Sequence, residues 1–177
     1  MEFDDLKATW DGDNWLASVR VPTWAPFLRE SSDRVQLTFL RDEEADEQQP
    51  PSPVQLATAA WFAQNEGALA GLVAAAMRAY YDESRPKYLD FLEDAASEMP
   101  ADPTPEKFAE LHGLHEVLVH ATELAGLAYV GLNFGASWER EHGLGVLMHD
   151  RRIVDIGGAD TSFIGWNADQ DKRAREG

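Results

Sequence analysis

The sequence predicts an α+β fold, on three observations. Apolar residues recur every second position through the first third of the chain. They recur at helical spacing through the middle. Short apolar runs bounded by glycines or charged turns then fill the last third. Strands separated from a block of helices in this way point to α+β organisation rather than to a βαβ alternation.

The elements follow in order. Residues 6–10 alternate apolar and polar, Asp11, Gly12, Asp13 and Asn14 supply turn chemistry, and Trp15, Ala17, Val19 and Val21 share one face of a second strand. Pro22 and Pro26 stiffen a connection around Trp24, and Val35, Leu37 and Phe39 mark a third strand. Residues 42–52 form an acidic, proline-containing loop. Ser52, Pro53 and Gln55 then make a capping box with proline at the first helical position. The helical pattern that follows, through residue 83, is one helix or two joined at Gly67. Shorter helices are expected over 86–93 and 105–111, the second capped by Thr104. Strands are expected at 114–122, 127–134, 144–149 and 153–156. Residues 1–166 are thus read as a single domain, and residues 167–177, which lack an apolar anchor, as a disordered tail.

Composition bounds the function. The 177 residues are 44% apolar, with six Trp, eight Phe and four Tyr, enough for one aromatic-rich core. There is no cysteine, so disulfides and thiolate metal sites are excluded. The first residues lack the basic and apolar regions of a secretory signal, and the longest apolar run, 67–77, is too short to span a bilayer; a cytoplasmic location is expected. A net charge of −17 repels nucleic acid and anionic membranes and favours a basic protein partner.

The segment 138–163 carries the only motif-like pattern. Glu141, His142, His149 and Asp160 are its candidate metal ligands, with Glu139 or Asp155 as further donors. In a regular strand, adjacent Glu141 and His142 point to opposite faces, and so do His142 and His149, unless Gly143 and Gly145 break the alternation. No Gly-x-Ser-x-Gly elbow accompanies Ser137, Thr161 or Ser162, and Gly157-Gly158-Ala159-Asp160 is too short for a phosphate loop. The architectural reading makes the segment a tight hairpin, with Leu144, Val146 and Met148 on one face and glycines at positive φ or at close backbone approaches. His112, His115 and His120 are read as a helix–strand junction, with His112 at a helix end.

The Glu141-His-Gly-Leu-Gly-Val146 stretch and the following Gly157-Gly-Ala-Asp160 resemble the C-terminal signature of an uncharacterised bacterial family, a domain of unknown function. The likeness extends to Trp15, to Val21-Pro-Thr-Trp-Ala-Pro-Phe27, and to Pro53-Val-Gln-Leu56 with Asn65, Glu66, Tyr80 and Tyr81. The resemblance implies no activity, cofactor or catalytic residue.

The leading functional expectation is a non-enzymatic protein-binding domain, in its narrower form an immunity-type inhibitor of a cationic bacterial toxin. No cofactor is expected. Contacts are placed at Asp42, Glu43, Glu44, Asp46 and Glu47, or among exposed Trp and Tyr. The alternatives are a metal-assisted hydrolase using Glu141, His142 and His149, and a regulatory or housekeeping domain whose motif is architectural.

Overall fold

The computed structural model describes residues 6–28, 33–42, 48–91 and 95–177; Glu43, Glu44, Asp46 and Glu47 lie outside them. The architecture is α+β. Seven strands, β1 (Thr9–Trp10), β2 (Trp15–Arg20), β3 (Arg34–Phe39), β4 (His112–Leu124), β5 (Leu127–Ala136), β6 (Glu139–His149) and β7 (Arg152–Gly157), form one sheet in sequence order. Every neighbouring pair is antiparallel except β3 and β4, which run parallel. That pair needs a crossover, because parallel neighbours cannot be joined by a tight turn. The crossover consists of α1 (Pro53–Phe91), α2 (Ala95–Glu98) and α3 (Pro105–Glu110).

The helix starts are made as their residues dictate. The Ser52 amide donates to Gln55 Oε1 (2.9 Å) and the Gln55 amide to Ser52 Oγ (3.1 Å), completing the capping box. Thr104 Oγ1 caps α3 by accepting from the Lys107 amide at 3.3 Å, with Pro105 at the first helical position. α1 is one helix of 39 residues, and the separate helix expected at 86–93 is, over 86–91, its C-terminal end; residues 92 and 93 lie outside the described residues. Pro86 cannot donate to the carbonyl of Asp82, but both residues are exposed, so water can serve that carbonyl. Gly67 breaks nothing. It admits the 3-10 turn Pro22–Phe27, whose Thr23 Oγ1 would lie 3.3 Å from an added Cβ. Thr23 and Trp24 are held there by Glu66, the indole donating to the Glu66 carbonyl at 3.1 Å.

α1 packs on the front face of the sheet. Its Phe62, Leu69, Val73, Met77 and Tyr81 are buried against Leu37, Val117, Leu132, Phe134 and Val146, around a fully buried Trp24. As expected from the sequence, Val35, Leu37 and Phe39 share this face, and so do Leu144, Val146 and Met148. A bulge in β7, with Leu147 opposite Asp155 and Met148 opposite Ile153, lets Ile153 and Ile156 both pack against the same core.

The back face carries α4 (Asp160–Phe163) and α5 (Gly165–Glu176). α5 corrects the expectation of a disordered tail over 167–177. Only Ala168 among its residues is buried, so no apolar periodicity was there to read. Polar bonds attach it instead. Thr122 donates to Asp169 (2.6 Å), Tyr129 to Asp171 (2.8 Å), Arg152 to Asp171 (3.0 Å) and Asn167 to Asp155 (3.1 Å). α4 lies almost on the sheet. A Cβ on Gly131 would fall 1.8 Å from the Ser162 carbonyl oxygen, which also accepts from His120 Nε2 at 2.8 Å. Burial pushes the His120 imidazole below its usual range, against the pull of that carbonyl, so the ring stays neutral while it donates. Among the described residues, no helix is long and apolar enough to cross a membrane.

Candidate functional site

β6 leaves the sheet register where the motif begins. Phe134 pairs with Leu144 and Ala136 with Glu139, so residues 140–143 stand opposite Gly135 alone. Gly143 allows the excursion with φ +62°, and the Ala159 amide ties it down by donating to the His142 carbonyl at 2.8 Å. The strand alternation expected to separate the acid and histidine side chains is therefore broken. His142 folds back on Glu139, not on Glu141, with Nδ1 3.0 Å from Glu139 Oε1. From the end of α1, the Tyr88 hydroxyl donates to the other carboxylate oxygen.

The electrostatics follow from these contacts. Burial raises the Tyr88 phenol and the adjacent carboxylate raises it further, so Tyr88 remains protonated. Burial alone would push the Glu139 carboxyl up, but hydrogen bonds from Tyr88 and His142 outweigh it and hold the group below the usual carboxylate range. The Glu139 hydrogen bond and charge raise the pKa of His142, whose side chain is 73% exposed against 20% for Glu139. The three groups border a cavity of about 190 Å³, walled also by Tyr80, Trp138 and the Gly158 backbone. Trp138 stands edge-on to Tyr88 at 5.2 Å and donates its indole N–H to His112 Nε2 at 3.2 Å. An indole nitrogen only donates, so that His112 nitrogen accepts. His112 Nδ1 then donates to the Phe108 carbonyl at 2.8 Å, and the buried ring is neutral. His112, read at a helix end, does stand at the junction of α3 and β4, where it is a buried core imidazole.

The remaining sequence candidates do not gather here. His149 is buried toward the far end of β6, its ring tilted against Tyr129 at 4.6 Å, with Nε2 donating to the Leu124 and Leu127 carbonyls. Glu141 is exposed, and Asp160 Oδ1 accepts from the Thr161 amide at 3.1 Å. Among the described residues, no three His, Asp or Glu side chains form a group able to hold a metal. Ser162 Oγ donates to the Ala159 carbonyl (2.6 Å) and Ser137 Oγ is buried without a hydrogen-bond partner, so neither pairs with a histidine. His115 is exposed at a bulge over Gly135, while His112 and His120 are buried at separate places. A larger apolar concavity of about 420 Å³ lies between Phe27, Ala74 and Phe108. The Arg78 at its rim is already bound to Asp82, Asp102 and the Pro103 carbonyl.

Sequence reasoning missed a surface feature as well. Phe163, Ile164 and Trp166, at the joint between α4 and α5, are 43%, 45% and 61% exposed. Their signal was the apolar run itself, passed over because it borders the segment read as a tail.

Residues 3–164 match the family described as Domain of unknown function (DUF6985). The chain belongs to that family. The match takes in the whole sheet, α1 and α4, and ends before Trp166 and α5. The comparisons with curated proteins and with solved structures return no match.

Proposed function

We propose that the protein is a non-enzymatic protein-binding domain whose partner is basic. One observation carries this reading: Phe163, Ile164 and Trp166, within four positions of one another in sequence, are all exposed on a chain of net charge −17. Scattered exposed apolar residues are ordinary. Three so close together in the chain, one a tryptophan and all flanked in sequence by Asp160 and Asp169, have the composition of a contact anchor within an acidic rim. The field steers a cationic partner toward it and disfavours nucleic acid and anionic lipid. In its narrower form the partner is a cationic bacterial toxin and the protein its immunity-type inhibitor; the charge and size support that form by analogy alone.

The test is capture of binding partners from the native cell by the full chain and by a Phe163→Ala/Trp166→Ala double variant. A basic protein should be retained by the wild type, released by salt, and bound about 100-fold more weakly by the variant, as two anchor residues warrant. Equal retention by both chains, or an acidic partner, overturns the reading. Co-expression with the captured partner then tests the narrower form, which requires that the protein relieve toxicity.

A further inference from the structure

We infer that the cavity between the end of α1 and the β6 excursion is a binding site for one organic cation, a guanidinium or alkylammonium group, held by Tyr80, Tyr88, Trp138 and Glu139. This goes beyond the exposed Phe163, Ile164 and Trp166, none of which lines the cavity.

Three features converge. First, the walls are aromatic: Trp138 lies 5.2 Å from Tyr88 and 6.4 Å from Tyr80, centroid to centroid. Ring faces carry negative potential and attract cations within about 6 Å. Trp138 is also held by edge-on contacts with Tyr81 at 5.9 Å and His112 at 6.1 Å, so this wall is preformed. Second, the polar floor is a carboxylate. Glu139 accepts from the Tyr88 hydroxyl, the His142 imidazole and the His142 amide, and a carboxylate's roughly four acceptor positions leave one for a ligand. Third, the volume of about 190 Å³ falls below the roughly 300 Å³ at which pockets begin to take whole small molecules, so it suits a single head group.

The neighbouring cation does not fill it. Arg140 turns outward, donating to the Ser137 carbonyl (3.1 Å) and to Glu98 (2.8 Å). His142 sits at the rim on Glu139 and, when protonated, is an internal cation that competes with the ligand. The cationic group arrives either on a free small molecule or on an arginine or lysine side chain of a protein, and the chemistry of capture is the same.

The experiment titrates the full-length protein with methylguanidinium and, separately, with tetramethylammonium, following the His142 imidazole and Trp138 indole resonances. N-methylurea serves as the uncharged control, and the tripeptide Ala-Arg-Ala as the peptide-borne cation. Saturable shifts with the cations and none with N-methylurea are expected. Glu139→Gln should weaken binding about tenfold, and Tyr80→Leu about three- to tenfold, should Glu139→Gln fail to fold. His142→Ala, at an exposed position, should bind as tightly as wild type or tighter. Stronger binding of Ala-Arg-Ala than of methylguanidinium assigns the site to a protein partner, and the reverse assigns it to a free cation. Equal shifts with N-methylurea, no saturation with any cation, or loss of binding in His142→Ala overturns the inference. Each of those results leaves the Phe163–Trp166 double variant to decide the protein-binding reading separately.

Discussion

On the front face of the sheet, Trp24 meets Phe27, Phe62 and Phe134 with ring centroids 6.1–6.4 Å apart, inside a core that α1 closes with apolar side chains. On the back face, the α4 backbone lies directly over Gly131 and Gly145, and α5 is fastened by hydrogen bonds from Thr122, Tyr129 and Arg152. One face is filled by side-chain volume. The other rests on close backbone approach and directional bonds, with only the small apolar cluster of Tyr129, Leu147 and Ala168 beneath α5. Apolar packing tolerates small adjustments of position, whereas contact between backbones does not, so each face should fail in its own way.

The largest effect is expected at the front. Phe134→Ala removes a fully buried ring and should cost about 3–5 kcal/mol in denaturant unfolding. A loss below about 1 kcal/mol would mean that the aromatic interlock is not what holds this face. Next comes Gly131→Ala, where the new methyl would lie 1.8 Å from the Ser162 oxygen. It should cost about 1–3 kcal/mol and speed amide exchange across α4 while the front strands stay protected. Gly67→Ala sharpens the contrast, since it meets only a side-chain hydroxyl at 3.3 Å within a helix and should be nearly neutral. The most local change is Tyr129→Phe, which deletes the bond to Asp171 and keeps the ring. About 1–2 kcal/mol of local stability should disappear, seen as faster exchange in α5 alone. Uniform loosening after Gly131→Ala or Tyr129→Phe would erase the distinction between the faces.

The front face was the legible one. Ser52 with Gln55 and Thr104 with Lys107 are local partners, so their spacing alone foretold both helix starts. The alternation of Val35, Leu37 and Phe39 foretold their shared burial. What escaped depends on contacts distant in sequence. α5 leaves no apolar stripe because Asp169 and Asp171, rather than leucines, attach it. Gly131 reads as an ordinary strand glycine until Ser162 is placed above it. At the candidate site the sequence set His142 beside Glu141 and admitted Glu139 only as a further donor, whereas His142 contacts Glu139. A strand excursion at residues 140–143 reverses the alternation, and Tyr88 arrives from a helix with no sequence link to the motif. The turn between the strands expected at 114–122 and 127–134 was placed, but not its form at Ala125-Gly126, where both residues take positive φ and alanine does so rarely.

The lone parallel pair has a consequence in time. β4 to β7 are joined by tight turns, so each pairing closes a small loop and can form soon after the chain emerges. Gln36 meets Glu116 only across 80 residues, once α1 has been laid over the growing sheet. Loop-closure entropy delays such a contact, and antiparallel meanders assemble ahead of it. The N-terminal hairpin, made first during synthesis, therefore waits for the C-terminal meander, and its open β3 edge is the interval in which this chain is most exposed to pairing with another copy of itself.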